Sequence, residues 1–170
     1  MREIARGVGL QPGALYYYFA SKDDLLLACQ TWSLDRLIDR AEAIRAEEAG
    51  PAERLEALIL SHLDLTLRVT GGGAAHIEVG ALPPRHRRGI VRRRDAYEAL
   101  VRETIEDGIQ DGVFAPVDAR AAALALLGAL NWTAVWWRPG GDWSSENVAG
   151  DFAGIFLHGL MRRGSEEINE

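Results

Sequence analysis

The sequence contains little cysteine and no long apolar run, and each absence excludes a class of protein. A single cysteine, Cys29, cannot form an internal disulfide, which fits the reducing cytoplasm. The longest apolar stretch, 121–137, is interrupted by Gly128, Asn131 and Thr133, so it falls short of the roughly 20 apolar residues that a membrane span needs. No basic segment followed by an apolar one resembles a secretion signal. We therefore expect a cytoplasmic protein without membrane contact.

Positive charge is also scarce. The 170 residues contain 19 lysines and arginines against 25 aspartates and glutamates, which gives a formal net charge of −6. This balance excludes a protein that coats nucleic acid through charge alone, but it does not exclude a small DNA-reading segment. Residues 1–24 are locally neutral, because three basic side chains balance three acidic ones: Arg2, Arg6 and Lys22 against Glu3, Asp23 and Asp24.

The chain lacks the motifs of catalytic and metal sites. It has no Gly-x-Ser-x-Gly motif, and the triplet 71–73 is not followed by the Lys-Ser or Lys-Thr of a phosphate-binding loop. The histidines do not show metal-ligand spacing with the cysteine: His62, His76, His86 and His158. We expect a protein that is not an enzyme and has no metal or cofactor.

Helical periodicity is what the sequence has throughout. Apolar residues recur at helical rather than alternating spacing, and the 48% hydrophobic fraction permits a sizeable core. Caps and helix breakers delimit eight predicted helices and no strand: 2–8, 12–19, 21–48, 51–70, 74–81, 85–111, 118–137 and 144–163. The predicted fold class is all-α.

Two of these helices have a predicted buried face. The segment 21–24, SKDD, predicts a capping box in which the serine hydroxyl and the Asp24 carboxylate cover free amides. The inward residues expected after it are Leu25, Cys29, Trp32, Leu37, Ile38, Ala41 and Ile44. Those expected in the helix that starts at Pro51 are Leu55, Leu58, Ile59, Leu63, Thr66 and Val69.

The first 19 residues predict two short helices joined by a tight turn. Ala5 is small enough to let the second helix approach, and Gly9 can adopt the positive φ that the turn requires. Leu15 then packs back onto Ile4 and Val8. This pattern is typical of a helix-turn-helix.

The residues REIA at 2–5, GLQPGALYYYF at 9–19 and SKDDLL at 21–26 closely resemble the signature of the TetR family. The resemblance implies an all-α protein with a helix-turn-helix DNA-binding region over residues 1–26 and a ligand-binding and dimerisation domain over residues 27–170. It also implies a transcriptional repressor that binds a double-stranded DNA operator as a homodimer and leaves it when a small-molecule effector binds.

By this resemblance, the second helix enters the major groove. The residues that would face bases or phosphates are Gln11, Gly13, Ala14, Tyr16, Tyr17 and Lys22. Glutamine reads adenine edges, glycine and alanine leave room, and tyrosine or lysine reaches phosphate. Tyr18 and Phe19 are expected to pack inward. The alternative for the three tyrosines is a half-buried aromatic patch.

The chain begins inside the second helix of the family pattern, because family members normally carry another helix before the position of Met1. This departure suggests an alternative function: a dimeric ligand-binding module that does not bind DNA because its head is incomplete.

The resemblance further implies that the last two long helices pair with those of a second copy as a four-helix bundle. The helix 118–137 is apolar on nearly every side, which a single core face does not explain. Interface residues expected on this basis are Leu127, Gly128, Phe152, Ile155, Phe156 and Gly159. Burial in the core of one chain is the alternative.

The effector pocket of the family lies among the long helices of the body. Candidate pocket residues are Trp32, Leu58, His62, Leu65, Val101, Ile105, Asn131, Trp132, Trp136 and Trp137. Core packing explains the tryptophans equally well, while Asn131 and Thr133 need polar partners inside an apolar helix. The stretch 128–141 resembles regulators of lipid and sterol catabolism, which implies a hydrophobic or acyl-CoA-like effector.

One dense basic run, RHRR at 85–88 and RRR at 92–94, has three interpretations. It is a solvated helix face, a docking site for the phosphates of a CoA-like ligand, or an auxiliary DNA contact. The last is the least expected, because the body of the family normally sits away from the duplex.

Overall fold

The computed structural model describes residues 1–7, 9–47, 49–71 and 79–161, with the side chains of 12 and 79 left out. Within these ranges the chain forms α1 Arg2–Gly7, α2 Pro12–Tyr18, α3 Lys22–Ala46, α4 Pro51–Leu63, α5 Pro84–Gln110, α6 Ala119–Trp136 and α7 Ser145–Leu160. A π-helical segment, Asp64–Val69, continues α4, and a 3₁₀ turn, Val79–Ala81, precedes α5. Phe114 and Met161 form an isolated antiparallel bridge, and these ranges hold no strand. The all-α class is confirmed.

The helix limits follow the caps that the sequence contains. The Ser21 hydroxyl accepts the Asp24 amide at 3.1 Å and donates to the Asp24 carboxylate at 2.7 Å, so α3 begins where expected. The Asp118 carboxylate accepts the Ala121 amide at the start of α6, and the Ser144 hydroxyl accepts the Asn147 amide at the start of α7. Gly9 and Gly112 have φ values of 69° and 72°, as expected after α1 and α5. The predicted helix 74–81 lies mostly outside the described residues, as does the predicted end of the last helix.

One hydrophobic core joins α3, α4, α5, α6 and α7. Fully buried side chains in it include Leu55, Ile59, Ile105 and Phe114. A smaller cluster of Leu34, Leu82 and Ile90 packs the first half of α3 against the start of α5. None of the described helices is long and apolar enough to cross a membrane.

The buried face of α3 differs from the prediction near its start. Cys29 and Trp32 are exposed, while Gln30, Ser33 and Leu34 are buried. The later positions Leu37, Ala41 and Ile44 are buried as predicted. The face that continues this later stripe towards the helix start passes through two polar residues, so apolarity alone selected the wrong side there.

The prediction that Val69 faces inward is also wrong, because Val69 is 50% exposed. The backbone widens after Leu63 into the π-helical segment, in which the Thr70 amide bonds to the Leu65 carbonyl at 3.0 Å. This wider turn rotates the following residues relative to a regular helix. Leu65, Thr66 and Leu67 therefore take the buried positions, and Val69 turns outward.

Candidate functional site

The head consists of α1 and α2, which are joined by a turn that contains Gly9. Ala5 and Leu15 are buried where the two helices meet, as the turn geometry requires. Of the six predicted DNA-contacting residues, Ala14 is half-buried and five are exposed: Gln11, Gly13, Tyr16, Tyr17 and Lys22. The exposed side chains are available to a partner, and their role in DNA contact stays a prediction.

Tyr18 does not pack inward. It is 72% exposed, and its ring meets that of Tyr17 edge-on at 5.1 Å between centroids. Phe19 is half-buried, in partial agreement with the prediction. Tyr18 is the last residue of α2, and Phe19 is the C-cap, whose backbone is extended.

A cavity of about 350 Å³ lies among α3, α4, α5 and α6. This volume is at the lower end of the range of ligand pockets, roughly 300–1,000 Å³. Its apolar wall consists of Leu34, Leu37, Val91, Leu124 and Leu127. Its charged residues are Arg94, Asp95, Glu98 and Arg120. An apolar wall combined with a few charged groups is the usual composition of a small-molecule site.

The buried side of the cavity carries a polar pair. His62 of α4 and Tyr97 of α5 are both buried, and the Tyr97 hydroxyl lies 3.2 Å from His62 Nδ1. Their rings are stacked, with centroids 5.8 Å apart. Burial raises the pKa of Tyr97, because the phenolate would lose its hydration there. The hydroxyl therefore stays protonated and available for hydrogen bonding.

The mouth of the cavity carries two arginines on different helices. Arg94 belongs to α5 and Arg120 to the first turn of α6, and both are exposed. Neither makes a hydrogen bond or an ion pair with any residue in the described ranges, whereas Arg102 beside them pairs with Glu98 and Glu106. These two guanidinium groups are free to bind an anionic group of a ligand.

The cavity contains two of the ten predicted pocket residues, His62 and Asn131. Leu58, Val101 and Ile105 belong to the hydrophobic core, and Leu65 lines a different cleft, between α3 and α4. The effector-binding roles assigned to these residues stay predictions. Thr133 is satisfied locally, since its hydroxyl donates to the Leu130 carbonyl at 2.6 Å.

The tryptophans lie away from this cavity. Trp32 is 48% exposed on α3, with the Arg36 guanidinium 6.0 Å from its ring centroid. Trp132 is 62% exposed on α6. The others form a group at the end of α6, where the Trp137 indole donates to the Trp143 carbonyl at 2.9 Å and Trp136 stacks on Phe152.

Several cavity residues were not singled out from the sequence. Val91, Arg94, Asp95 and Glu98 follow helical spacing on α5, but a mixed and mostly charged stripe has the same appearance as a solvated face. Arg120 gave no signal, because only the packing of α6 beside α5 brings it to Arg94. Among the described residues, no group of three histidines, cysteines or acidic side chains is arranged to hold a metal.

Several large apolar side chains of α6 and α7 are exposed, and the dimer interface expected on these helices stays a prediction. Trp132 and Val135 are exposed on α6, and Ile155 is 67% exposed on α7, whereas Leu124, which is also exposed, lines the cavity described above. Gly128 and Gly159 are exposed, with open space where a Cβ would stand. Phe152 and Phe156 are half-buried against the core, and Leu127 is buried within it.

Comparison with known proteins covers both parts of the chain. The family model described as bacterial regulatory proteins, tetR family, matches residues 1–29. A second family model, described as tetracyclin repressor-like, C-terminal domain, matches residues 48–160. The HTH-type transcriptional repressor KstR2 of Mycobacterium tuberculosis H37Rv is 26% identical over 167 residues, which span 96% of this chain and 84% of KstR2.

Solved structures give the same result. PfmR, a TetR family transcriptional regulator from Thermus thermophilus, superposes with a TM-score of 0.81 at 29% identity, covering 95% of this chain and 88% of PfmR. AibR in complex with isovaleryl coenzyme A and operator DNA superposes with a TM-score of 0.72 at 26% identity, covering 91% of this chain and 84% of AibR. With one family model matching the head and another matching most of the body, the chain belongs to the TetR family of transcriptional regulators.

Proposed function

We propose that this regulator is a homodimeric repressor that leaves its operator when an anionic, amphipathic effector, such as an acyl-CoA thioester, binds in the cavity among α3 to α6. The observation that carries the proposal is the pair of unengaged guanidinium groups, Arg94 and Arg120, at the mouth of a cavity that has one apolar wall. Apolar walls suit an acyl chain, and arginine suits phosphate or carboxylate.

The similarity to AibR supports this effector class. The solved AibR complex contains both isovaleryl coenzyme A and operator DNA, so that protein accommodates an acyl-CoA within the same helical fold. The similarity to the repressor KstR2 supports repression as the direction of control.

Helix α3 couples effector binding to the position of the DNA-binding head. It begins at Lys22, directly after the head, and it contributes Leu34 and Leu37 to the cavity wall. A ligand that displaces these leucines shifts α3 as one rigid helix. This shift moves the recognition helix α2, which directly precedes α3. The coupling requires that the effector bind the DNA-free arrangement more tightly than the DNA-bound one.

The exposed apolar faces of α6 and α7 form the dimer interface in this proposal. Large exposed side chains such as Trp132 and Ile155 indicate a surface that a partner covers. A two-fold dimer presents two recognition helices about one helical turn of DNA apart, which two operator half-sites require.

Calorimetric titration of the protein with isovaleryl-CoA, free CoA and isovalerate tests the effector class. We expect the thioester to bind more tightly than either fragment. The double variant Arg94→Gln/Arg120→Gln should weaken this binding at least tenfold, about 1.4 kcal/mol, because it removes charge-assisted hydrogen bonds. The matched control Arg36→Gln/Arg40→Gln removes two exposed arginines of α3 and should leave the affinity unchanged.

Native mass spectrometry of protein taken directly from its expression host tests the assembly. A dimer bearing an adduct of acyl-CoA mass supports the proposal, and a monomer contradicts the interface and the two-half-site mechanism together. Equal thioester affinity in the two double variants would reject the arginine site. A dimer that binds the thioester but retains no duplex DNA would instead support a ligand-binding module.

A further inference from the structure

A second cleft, of about 570 Å³, lies between the first turns of α5 and α3. Leu27 and Thr31 of α3 form one side, and α5 contributes Arg85, Arg88 and Arg92 to the other. Arg93 also lines the cleft, His86 adds an imidazole ring, and the lining contains no acidic residue among those that the structure describes. This is a concentrated positive surface on a chain whose net charge is −6.

Three of these arginines are not used by the fold. Arg87 donates to the carbonyls of Leu82 and Gly80, and Arg93 pairs with Asp35 at 2.7 Å. In contrast, Arg88 and Arg92 make no hydrogen bond or ion pair within the described ranges, and Arg85 donates only to the adjacent His86 ring. Like charges three and four residues apart on one helix repel each other, so an anion between them is favoured.

The cleft is separate from the effector cavity, and the two share no lining residue. On α5, Val91, Arg94 and Glu98 line the cavity, whereas Arg88 and Arg92 line the cleft. The two sets of residues lie on sides of α5 that are about 100° apart around the helix axis. The Arg93–Asp35 ion pair and the Leu34–Ile90 contact lie where α3 and α5 pack together. Phosphates of an effector held by Arg94 therefore face another side of α5.

The cleft lies at the end of the body that carries the head. The ion pairs Asp35–Arg93 and Arg45–Glu103 advance by equal steps along both helices, so α3 and α5 run parallel and start at the same end. Leu27, in the cleft wall, is five residues after Lys22, an axial distance of about 7.5 Å. Because helical side chains tilt towards the helix N-terminus, the α5 arginines point towards this end.

We propose that Arg85, Arg88 and Arg92 bind backbone phosphates of duplex DNA, as a contact in addition to the one made by the head. The inference rests on the proposed DNA-binding function. Guanidinium groups bind phosphate oxygens in a bidentate manner, and such contacts increase affinity and fix orientation without reading sequence. The contact distinguishes this chain from a regulator whose body takes no part in DNA binding.

The test measures DNA affinity by fluorescence anisotropy between about 50 and about 200 mM salt. The probe is a labelled duplex that the wild-type protein selects from a randomised pool, and a scrambled duplex serves as its non-specific counterpart. The variant Arg88→Gln/Arg92→Gln should reduce the magnitude of the slope of log K against log salt by about 1.8. It should also weaken binding to both duplexes by a similar factor. Arg36→Gln/Arg40→Gln, with the same charge change further along α3, should retain the wild-type slope.

Each other outcome overturns the inference in a distinguishable way. A wild-type protein that binds no duplex would reject the proposed function and this contact with it. Wild-type binding with an unchanged slope in Arg88→Gln/Arg92→Gln would reject the contact alone. If that variant instead lost affinity for isovaleryl-CoA in calorimetry, the cleft would belong to the effector. Matching thermal unfolding of both double variants establishes that neither acts through misfolding.

Discussion

The Tyr97 hydroxyl lies 3.2 Å from Nδ1 of His62, inside the protein and beside the cavity among α3 to α6. The pair joins α4 to α5 by this polar contact on the buried wall and by the stacking of the two rings. Both residues are buried, and both line the cavity.

Tyr97→Phe should lower the free energy of unfolding by about 1–3 kcal/mol, because it removes the buried hydroxyl that bonds His62 Nδ1. Urea unfolding at neutral pH measures this change. Tyr17→Phe is the matched control, since Tyr17 is 84% exposed and should be neutral. Equal stability of the two variants would show that the pair contributes nothing to folding.

Tyr97 should also make the protein less stable in alkali. Its pKa is raised by burial, so native Tyr97 keeps its proton above a pH of about 10, while the unfolded chain releases it. The contribution of Tyr97 to the free energy of unfolding is fully present below that pH. Above it, this contribution falls by up to about 1.4 kcal/mol per pH unit. Unfolding measured on both sides of this pH should show a smaller alkaline loss in Tyr97→Phe than in the wild type.

Gly108→Ala should destabilise the protein by about 1–3 kcal/mol despite the better helix propensity of alanine. A Cβ at this position would stand inside the contact distance of the buried Phe114 ring. Gly89→Ala, in the same helix, meets only the end of the Arg93 side chain at 3.8 Å and should stabilise slightly. A higher melting temperature for both variants would show that Phe114 moves away freely.

Asn131→Ala and Trp132→Ala should separate two surfaces of α6. Asn131 lines the cavity, so its loss should weaken isovaleryl-CoA binding about fivefold, or about 1 kcal/mol. Trp132 is exposed on the proposed dimer face, so its loss should weaken the dimer instead. Titration calorimetry and sedimentation measure the two effects. The reverse pattern would relocate the effector to the dimer interface.

Ile155→Arg should convert the dimer to a monomer, because a two-fold interface brings two copies of the new charge into an apolar contact. Val117→Arg is its control, since Val117 is also exposed but precedes α6 in a loop. Analytical ultracentrifugation distinguishes the species. Unchanged dimerisation in Ile155→Arg would exclude the α7 face from the interface.

The residues that the sequence identified correctly act through local geometry. Ser21, Asp118 and Ser144 cap helices through contacts three residues away, and Gly9 adopts a positive φ that its own backbone permits. The helix-turn-helix, the helix limits and the family follow from such features. The residues that line the cavity among α3 to α6 do not, because a charged stripe on α5 is indistinguishable from a solvated face until α6 packs beside it.

The all-α class, the order of the helices and the TetR signature could be read from the sequence alone, because these depend on caps, turns and periodicity within a few residues. The environment of each arginine in the basic run 85–94, in contrast, depends on how the helices pack. Arg94 faces the cavity, Arg87 and Arg93 are engaged by carbonyl and carboxylate groups, and Arg88 and Arg92 line a separate cleft. The physical reason is that neighbouring residues on a helix point about 100° apart, so the elements packed around α5 assign each guanidinium a different environment.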